Sequence, residues 1–258
     1  MSQSLDTEKL EHEVKSMYRD VAESADADFH FETGRPLADR LGYDPKDLQY
    51  VPDAAIDSFA GVGYHFDLAA LEPRETVLDL GSGSGMDAFV AGLHVAESGA
   101  VTGIDMTSEQ VKKANHLAGE NGFHNVTFRN GYIEDLPFED NSFGAVISNG
   151  VINLSAEKAQ VFEEAFRVLR PGGRLAVSDI ISEQQMPDSI KTDADLWAAC
   201  IGGAEQVDKY TSLIEAAGFD LGPVQENTQY EFISEQAENA CQNYGVKSIS
   251  LRGTKPTK

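Results

Sequence analysis

The chain has 258 residues, 43 of them acidic and 20 basic, for a formal net charge of −23. This length is enough for one sizeable α/β domain with appendages, and the excess of carboxylate excludes a general affinity for nucleic acid phosphates or anionic membrane surfaces. The acids are spread along the chain rather than gathered in a tail, which is the pattern of a solubilising surface adapted to high salt, where screening removes the self-repulsion.

The first ten residues are polar and carry no apolar signal core, and no unbroken apolar run approaches the ~18 residues of a membrane span. A cytoplasmic protein without membrane partners is expected. Its two cysteines, Cys200 and Cys241, are too few for a disulfide scaffold and lack the Cys-x-x-Cys spacing of structural zinc.

In chain order, Leu10, Val14, Met17, Tyr18 and Val21 recur at helical spacing and predict an amphipathic N-terminal helix lying over the mouth of a site. Residues 24–70 are punctuated by Gly34, Pro36, Gly42, Pro45, Pro52, Gly61 and Gly63, so a loop-rich cap with one or two short helices is expected. Strands and helices then alternate: strand 76–80, helix 85–97, strand 101–105, helix 108–121, strand 125–130, strand 143–148, helix 156–169 and strand 174–179. Such alternation means βαβ units and a parallel sheet with right-handed crossovers. Pro171-Gly172-Gly173 reads as the turn before the last of these strands. Helices over 189–202 and 208–217 follow, then strands over 224–233 and 246–252 with a loop between them. The expected organisation is a cap over 1–70, a core over 71–182 and a C-terminal extension over 183–258.

The most informative segment runs from Val77 to Asp87: a buried strand, then Gly81, Gly83 and Gly85, then a helix start. The glycines permit positive φ and close approach of a ligand, and the helix presents its free amides to it. The spacing is Gly-x-Gly-x-Gly rather than the Gly-x-Gly-x-x-Gly of dinucleotide sites, and Asp79 would repel a pyrophosphate. A cationic or hydroxyl-rich ligand suits it better. Asp105 ends the next strand, twenty residues beyond Gly85; alone it reads as a turn residue or cap, but joined to the loop it reads as an acceptor for a ribose diol.

These residues resemble the class I S-adenosylmethionine-dependent methyltransferases, whose first motif is an acid followed by Gly-x-Gly-x-Gly after a strand. The resemblance implies a Rossmann-like, seven-stranded, mostly parallel sheet with helices on both faces, and S-adenosyl-L-methionine as cofactor. It maps Asp79, Gly81, Gly83, Gly85, Asp105 and Met106 to cofactor binding, with Ile133 and Glu134 at the adenine and Asn149 beside the methionine portion. From the residues alone, Ile133 is equally a core residue, Glu134 a solvated acid and Asn149 a turn former.

Four segments narrow the resemblance: Gly103-Ile-Asp-Met-Thr107, Gly131-Tyr-Ile-Glu134, Ser148-Asn-Gly-Val-Ile-Asn-Leu-Ser155 and Trp197-Ala-Ala-Cys-Ile-Gly-Gly-Ala204. Together they are similar to the arsenite methyltransferases over roughly residues 37–255. In that family, thiolates from separate segments hold a trivalent arsenic whose lone pair attacks the methyl, soft ligands on a soft centre. The resemblance implies Cys200 and Cys241 as catalytic arsenic ligands, the arsenic being substrate and not a metal cofactor, with a small thiol reductant as partner. The family's Gly-Cys-Gly element is Gly61-Val62-Gly63 here, followed by Tyr64-His65, so one thiolate is missing. Two thiolates can hold an arsenic that already bears a methyl group, or share an inorganic one with a small-molecule thiol.

Two other readings stay open at this level: a methyltransferase for a small organic acceptor, and a non-catalytic protein that binds S-adenosylmethionine or sequesters metalloid. The six histidines show no metal-ligand spacing, and only His65, in the cap, is a candidate site residue. Salt adaptation predicts that the unfolding midpoint rises steeply between dilute buffer and molar salt. Equal stability in both, followed by circular dichroism, contradicts it.

Overall fold

A computed structural model describes residues 7–23, 31–191, 196–197, 200–233 and 235–257. One sheet organises them, in the order β3 (Val126–Asn130), β2 (Ala100–Asp105), β1 (Thr76–Leu80), β4 (Phe143–Asn149), β5 (Leu169–Ser182), β8 (Lys247–Thr254), β7 (Asp220–Glu226). The two-residue β6 (Glu205–Gln206) pairs with the end of β5, making an eighth strand where seven were expected. Pairing is parallel from β3 through β5, and β8 runs antiparallel to both β5 and β7. The sheet is therefore Rossmann-like, as expected.

Strand alternation divides the core in two. Val77 faces one layer with Phe89, Val101 and the cap residues Leu37, Leu48 and Ile56. Leu78 and Leu80 face the other, against Phe162, Ala165, Tyr210 and Ile214. Asp79 shares the parity of Val77, so its carboxylate is directed to the cap side of β1. The direction of strand order reverses between β1 and β4, and such a switch point opens a crevice at the strand C-termini.

The N-terminal helix α1 (Thr7–Glu23) buries Leu10, Val14 and Val21 and packs on α7 (Ser108–Glu120). Its end is fixed by Lys113, whose Nζ donates to Ala22 O at 3.0 Å and Ser58 Oγ at 2.7 Å. Among the described residues, the cap after α1 holds four short helices, α2 (Arg35–Leu41), α3 (Pro45–Leu48), α4 (Asp53–Asp57) and α5 (Phe66–Ala69). The remaining helices up to β6 are α6 (Met86–Val95), α8 (Lys158–Val168) and α9 (Asp188–Lys191).

Four expectations need correction. Pro171-Gly-Gly173 lies inside β5, where the register with β4 shifts, because Gly172 at φ 79° accommodates the irregularity without ending the strand. The strand expected over 224–233 is β7, four residues earlier; beyond Glu226 the chain leaves the sheet and Tyr230 and Phe232 turn in against a separate apolar cluster. The loop expected between the last strands contains a helix (Glu235–Tyr244), whose mostly polar sequence hides its short inward stripe of Ala240, Cys241 and Tyr244. The long helix expected over 189–202 is α9, helical residues at 196–197 and a turn at Cys200, with 192–195 and 198–199 outside the described residues. Cys200 takes a left-handed φ of 63°, and Ile201 and Gly202 both donate to Leu196 O at 2.8 Å, so the chain reverses there. Among the described residues, no helix is long and apolar enough to cross a membrane.

Candidate active site

The cavity at the switch point is lined by the ends of β1, β2 and β4, the loop after β3, and residues of α1. Its floor is the glycine loop. Gly81 and Ser82 donate their amides to Ile104 O at 2.8 and 3.0 Å, clamping the loop to β2. A side chain at Gly85 would collide with Phe128 at 2.5 Å, whereas Gly83, at φ 51°, meets nothing closer than Gln110 Oε1 at 4.0 Å. Gly83 thus opens its backbone to the cavity while Gly85 lets α6 pack on the sheet.

Three carboxylates converge here. Asp79 is 2% exposed, and its Oδ2 has no partner among the described residues. Burial, reinforced by Asp87 and Asp105 nearby, pushes its pKa well above the ordinary carboxylate range. Asp105 is raised by burial too, against the opposing hydrogen bonds from the Thr107 and Gly83 amides at 2.8 and 2.9 Å. Asp87 accepts from Tyr43 Oη at 2.5 Å and Asn149 Nδ2 at 3.0 Å. A buried acid with an orphaned oxygen beside two more acids calls for a cation.

Ile133, 8% exposed, lines the opposite wall with Gly131, Tyr132 and Glu134. Glu134 Oε1 accepts from Ser155 Oγ, which fixes it at the cavity edge. Tyr132 Oη accepts from Lys15 Nζ and donates to Glu11 Oε1, both at 2.7 Å, so α1 is pinned across this side. Met106 lines the cavity and packs against the cluster of Leu10, Val14 and Trp197. Asn149 also lines it, but its side chain is committed elsewhere: Oδ1 accepts from Val62 N at 2.8 Å, and Nδ2 donates to Gly63 O, Tyr43 Oη and Asp87, each at 3.0 Å.

Next to this cavity lies a packed apolar cluster around Cys200. Cys200, Val62, Ile180 and Ile201 are buried in it, and Cys241, Tyr230 and Phe232 pack against it. Val62 and the two cysteines thus share one environment. Cys200 is 6% exposed, and its thiol reaches Gly150 O, a cavity-lining residue, at 3.9 Å. Burial and the field of Asp179 push the Cys200 pKa up to about 12, with Asn153 and Tyr18 favouring the thiolate from nearby. Cys241 is less buried, and burial raises it also. Asp179 is fully buried, accepting from Asn153 Nδ2 at 2.5 Å and Tyr210 Oη at 2.6 Å, and so anchors the turn that carries Asn153.

His65 does not line the cavity. It is fully buried, stacked on Phe66 at 4.6 Å between centroids, and burial lowers its pKa, so it packs as a neutral ring. Sequence reasoning passed over Asp87, Ser84, Gln110 and Tyr18. Asp87 had a signal, an acid in the first turn of an otherwise apolar helix; Tyr18 was read only as an apolar point, although its ring lines the cavity.

Residues 71–218 match the family model described as a methyltransferase domain. The chain belongs to the class I S-adenosylmethionine-dependent methyltransferases. It is 42% identical over 88% of its length to an arsenite methyltransferase of Halobacterium salinarum, and 47% identical over 55% of its length to one of Aquipseudomonas alcaligenes. It spans 58% and 43% of those two proteins. A crystal structure of an arsenic(III) S-adenosylmethionine methyltransferase from Chlamydomonas reinhardtii superposes with a TM-score of 0.68 at 32% identity, covering 87% of this chain and 75% of that one. S-Adenosylmethionine, a cation with an amino group and a ribose diol, fits the orphaned Asp79 and the exposed Gly83 backbone.

Because its folded pKa is raised, the stability linked to Asp79 is full below its unfolded value near ~4 and is lost as pH rises through the folded value. At neutral pH, Asp79→Asn is therefore expected to raise the melting temperature of the ligand-free protein by ~2–4 °C, the shift of about 1 kcal/mol at this size. Cofactor affinity by calorimetry should fall about tenfold or more as a charge-assisted contact is lost. An unchanged affinity contradicts the placement of the cation.

Proposed function

We propose that this protein transfers the methyl group of S-adenosylmethionine to a trivalent arsenic held by the thiolates of Cys200 and Cys241. The observation that carries the reading is the meeting of Cys200, Cys241 and Val62 in one cluster whose Cys200 thiol touches the cavity wall at Gly150. Asp79 suits the amino group of the cofactor, Asp105 the ribose hydroxyls, and Ile133 and Glu134 the adenine, with Gly81, Gly83, Gly85, Met106 and Asn149 shaping the cavity. When bound, the cofactor supplies a methyl group already activated on a sulfonium, so the protein needs no strong base. Its work is to bring the acceptor into line and keep water out.

Thiolates suit arsenic because both are soft. The arsenic lone pair forms the new bond to carbon, the carbon–sulfur bond breaks, and its electron pair stays on sulfur. Arsenic is then formally pentavalent, and two electrons from a small thiol reductant, which ends as a disulfide, return it to the trivalent state. Burial disfavours a free thiolate at Cys200, so the thiol proton leaves with a hydroxide of the arsenical as water when the arsenic–sulfur bond forms. Free thiols and a thiol reductant fit a reducing compartment, the cytoplasm. The cap over 1–70 and the extension over 183–258 both contribute to the acceptor cluster, through Val62 on one side and Cys200, Tyr230 and Cys241 on the other.

With Val62 apolar and buried at 1% exposure, two thiolates are available, which favours an arsenical that already carries one carbon substituent. Cys200→Ser is expected to lower methyl transfer to methylarsenite by at least about a hundredfold, the loss of one strong ligand bond, while cofactor binding is unchanged. Val62→Cys should raise the rate on arsenite relative to methylarsenite. Activity indifferent to loss of both cysteines sinks the thiolate reading and favours a small organic acceptor.

A further inference from the structure

Lys158, the first residue of α8, is buried at 7% exposure, and no other lysine or arginine among the described residues is buried. Its Nζ donates to Ser155 O at 2.7 Å and stands 5.2 Å over the Trp197 ring, with no carboxylate at ion-pair distance among the described residues. Asp179 acts on it only through its field, because that carboxylate already accepts from Asn153, Tyr210 and the Ile180 amide. Burial lowers the Lys158 pKa to about 8, so the group is still an ammonium at neutral pH, with donors to spare. A buried charge without a countercharge is costly unless a ligand supplies one.

The Lys158 side chain lines a second cavity, which shares no lining residue with the cofactor cavity. Trp197, Gly202, Gly203, Lys191 and Lys209 line it too. Glu205 faces the two outer lysines, 2.7 Å from Lys209 Nζ and 3.6 Å from Lys191 Nζ, so one acid answers two ammoniums and Lys158 stays uncompensated. With Glu157, exposed at the edge, the lining holds three ammoniums against two carboxylates, a positive balance in a chain of net charge −23. The start of α8 adds to it. Its N-cap Glu157 caps no amide with its side chain, and Lys158 and Ala159 of the first turn are both in the lining. First-turn amides have no partner inside the helix and favour an anion.

We infer that this cavity binds a small oxyanion of the phosphate class, held by the ammoniums of Lys158, Lys191 and Lys209 and by the first-turn amides of α8. Donors carried by separate elements suit an ion with several charged oxygens better than a single chloride. The site is independent of the methyl acceptor. Trp197 and Gly202 flank Cys200 in the chain, so an occupant sits against the turn that carries that residue.

Trp197 is the single tryptophan of the chain, and its fluorescence reports on the cavity it lines. The full chain is titrated at neutral pH with inorganic phosphate, which replaces sodium chloride at fixed ionic strength. A saturable change in fluorescence and a rise in melting temperature with phosphate are expected. Lys158→Met should weaken binding about tenfold or more, the loss of a charge-assisted hydrogen bond, and Lys209→Met, whose ammonium is exposed, about threefold. Lys46→Met makes the same charge change on the exposed surface of the cap and should leave affinity unchanged. Because Lys158→Met also removes the cation over Trp197, its affinity is read from the melting temperature against phosphate. No saturable response in the wild type, wild-type affinity in Lys158→Met, or equal weakening in all three variants overturns the inference. If Lys158→Met does not fold, Lys209→Met decides, and an affinity equal to that of Lys46→Met overturns it.

Discussion

The side chain of Asn149 is the knot on which the cavity and the Cys200 cluster depend. It stands at the end of β4, beside the switch point, and both faces of its amide are used. Its oxygen takes the amide of Val62 and its nitrogen donates to Gly63 O, so the cap segment is tied to the sheet as if it were another strand. The same nitrogen reaches Asp87 in the first turn of α6 and the hydroxyl of Tyr43 in the cap. One residue therefore sets the distance between the helix that follows the glycine loop and the segment that brings Val62 to the Cys200 cluster. An asparagine can do this because it donates and accepts through one rigid plane; an aspartate could not supply the donors, and would add a fourth carboxylate to the three already present.

Electrostatics explains why those three carboxylates are tolerated. Asp79 and Asp105 are brought together by neighbouring strands and Asp87 joins them from the first turn of α6, and their mutual repulsion is a cost of the ligand-free state. Tyr43, Asn149 and the amides of Gly83 and Thr107 relieve Asp87 and Asp105, leaving Asp79 with an oxygen for a positively charged guest. The Cys200 cluster is the opposite, apolar and aromatic, and burial raises both of its thiols. An acidic cavity suited to a cationic donor and this apolar cluster meet at Gly150.

Much of the donor side was legible in the sequence because its signals are local. Val77 to Asp87 combines strand, glycine turn and helix start in eleven residues, and Asp105 follows at a spacing set by one βα unit. The cluster proposed as the acceptor side is assembled from Val62, Cys200, Tyr230 and Cys241, segments far apart in the chain whose meeting periodicity cannot encode. Cys200 was expected on a helix and lies on a turn, because it takes a left-handed φ itself and Gly202 and Gly203 fit closely against Trp197 and Asn153, which its own residue type does not advertise. The helix that carries Cys241 has too few apolar positions to announce itself, and the residues after β7 looked like strand because Tyr230 and Phe232 have strand propensity that inward packing overrides. Asn149 was read as a cavity residue; that it is also the tie to the cap required seeing which segment lies across from it.

The central claim is that the methyl group of the donor cavity goes to arsenic at the neighbouring Cys200 cluster. The most direct measurement is incubation of the full chain with methyl-labelled S-adenosylmethionine, methylarsenite and a small thiol, with products separated and identified by mass. Label in a dimethylated arsenical, formed in step with S-adenosylhomocysteine, is the predicted result. Bound S-adenosylmethionine with no label in any arsenical, under conditions where methylarsenite is present in excess, would contradict it.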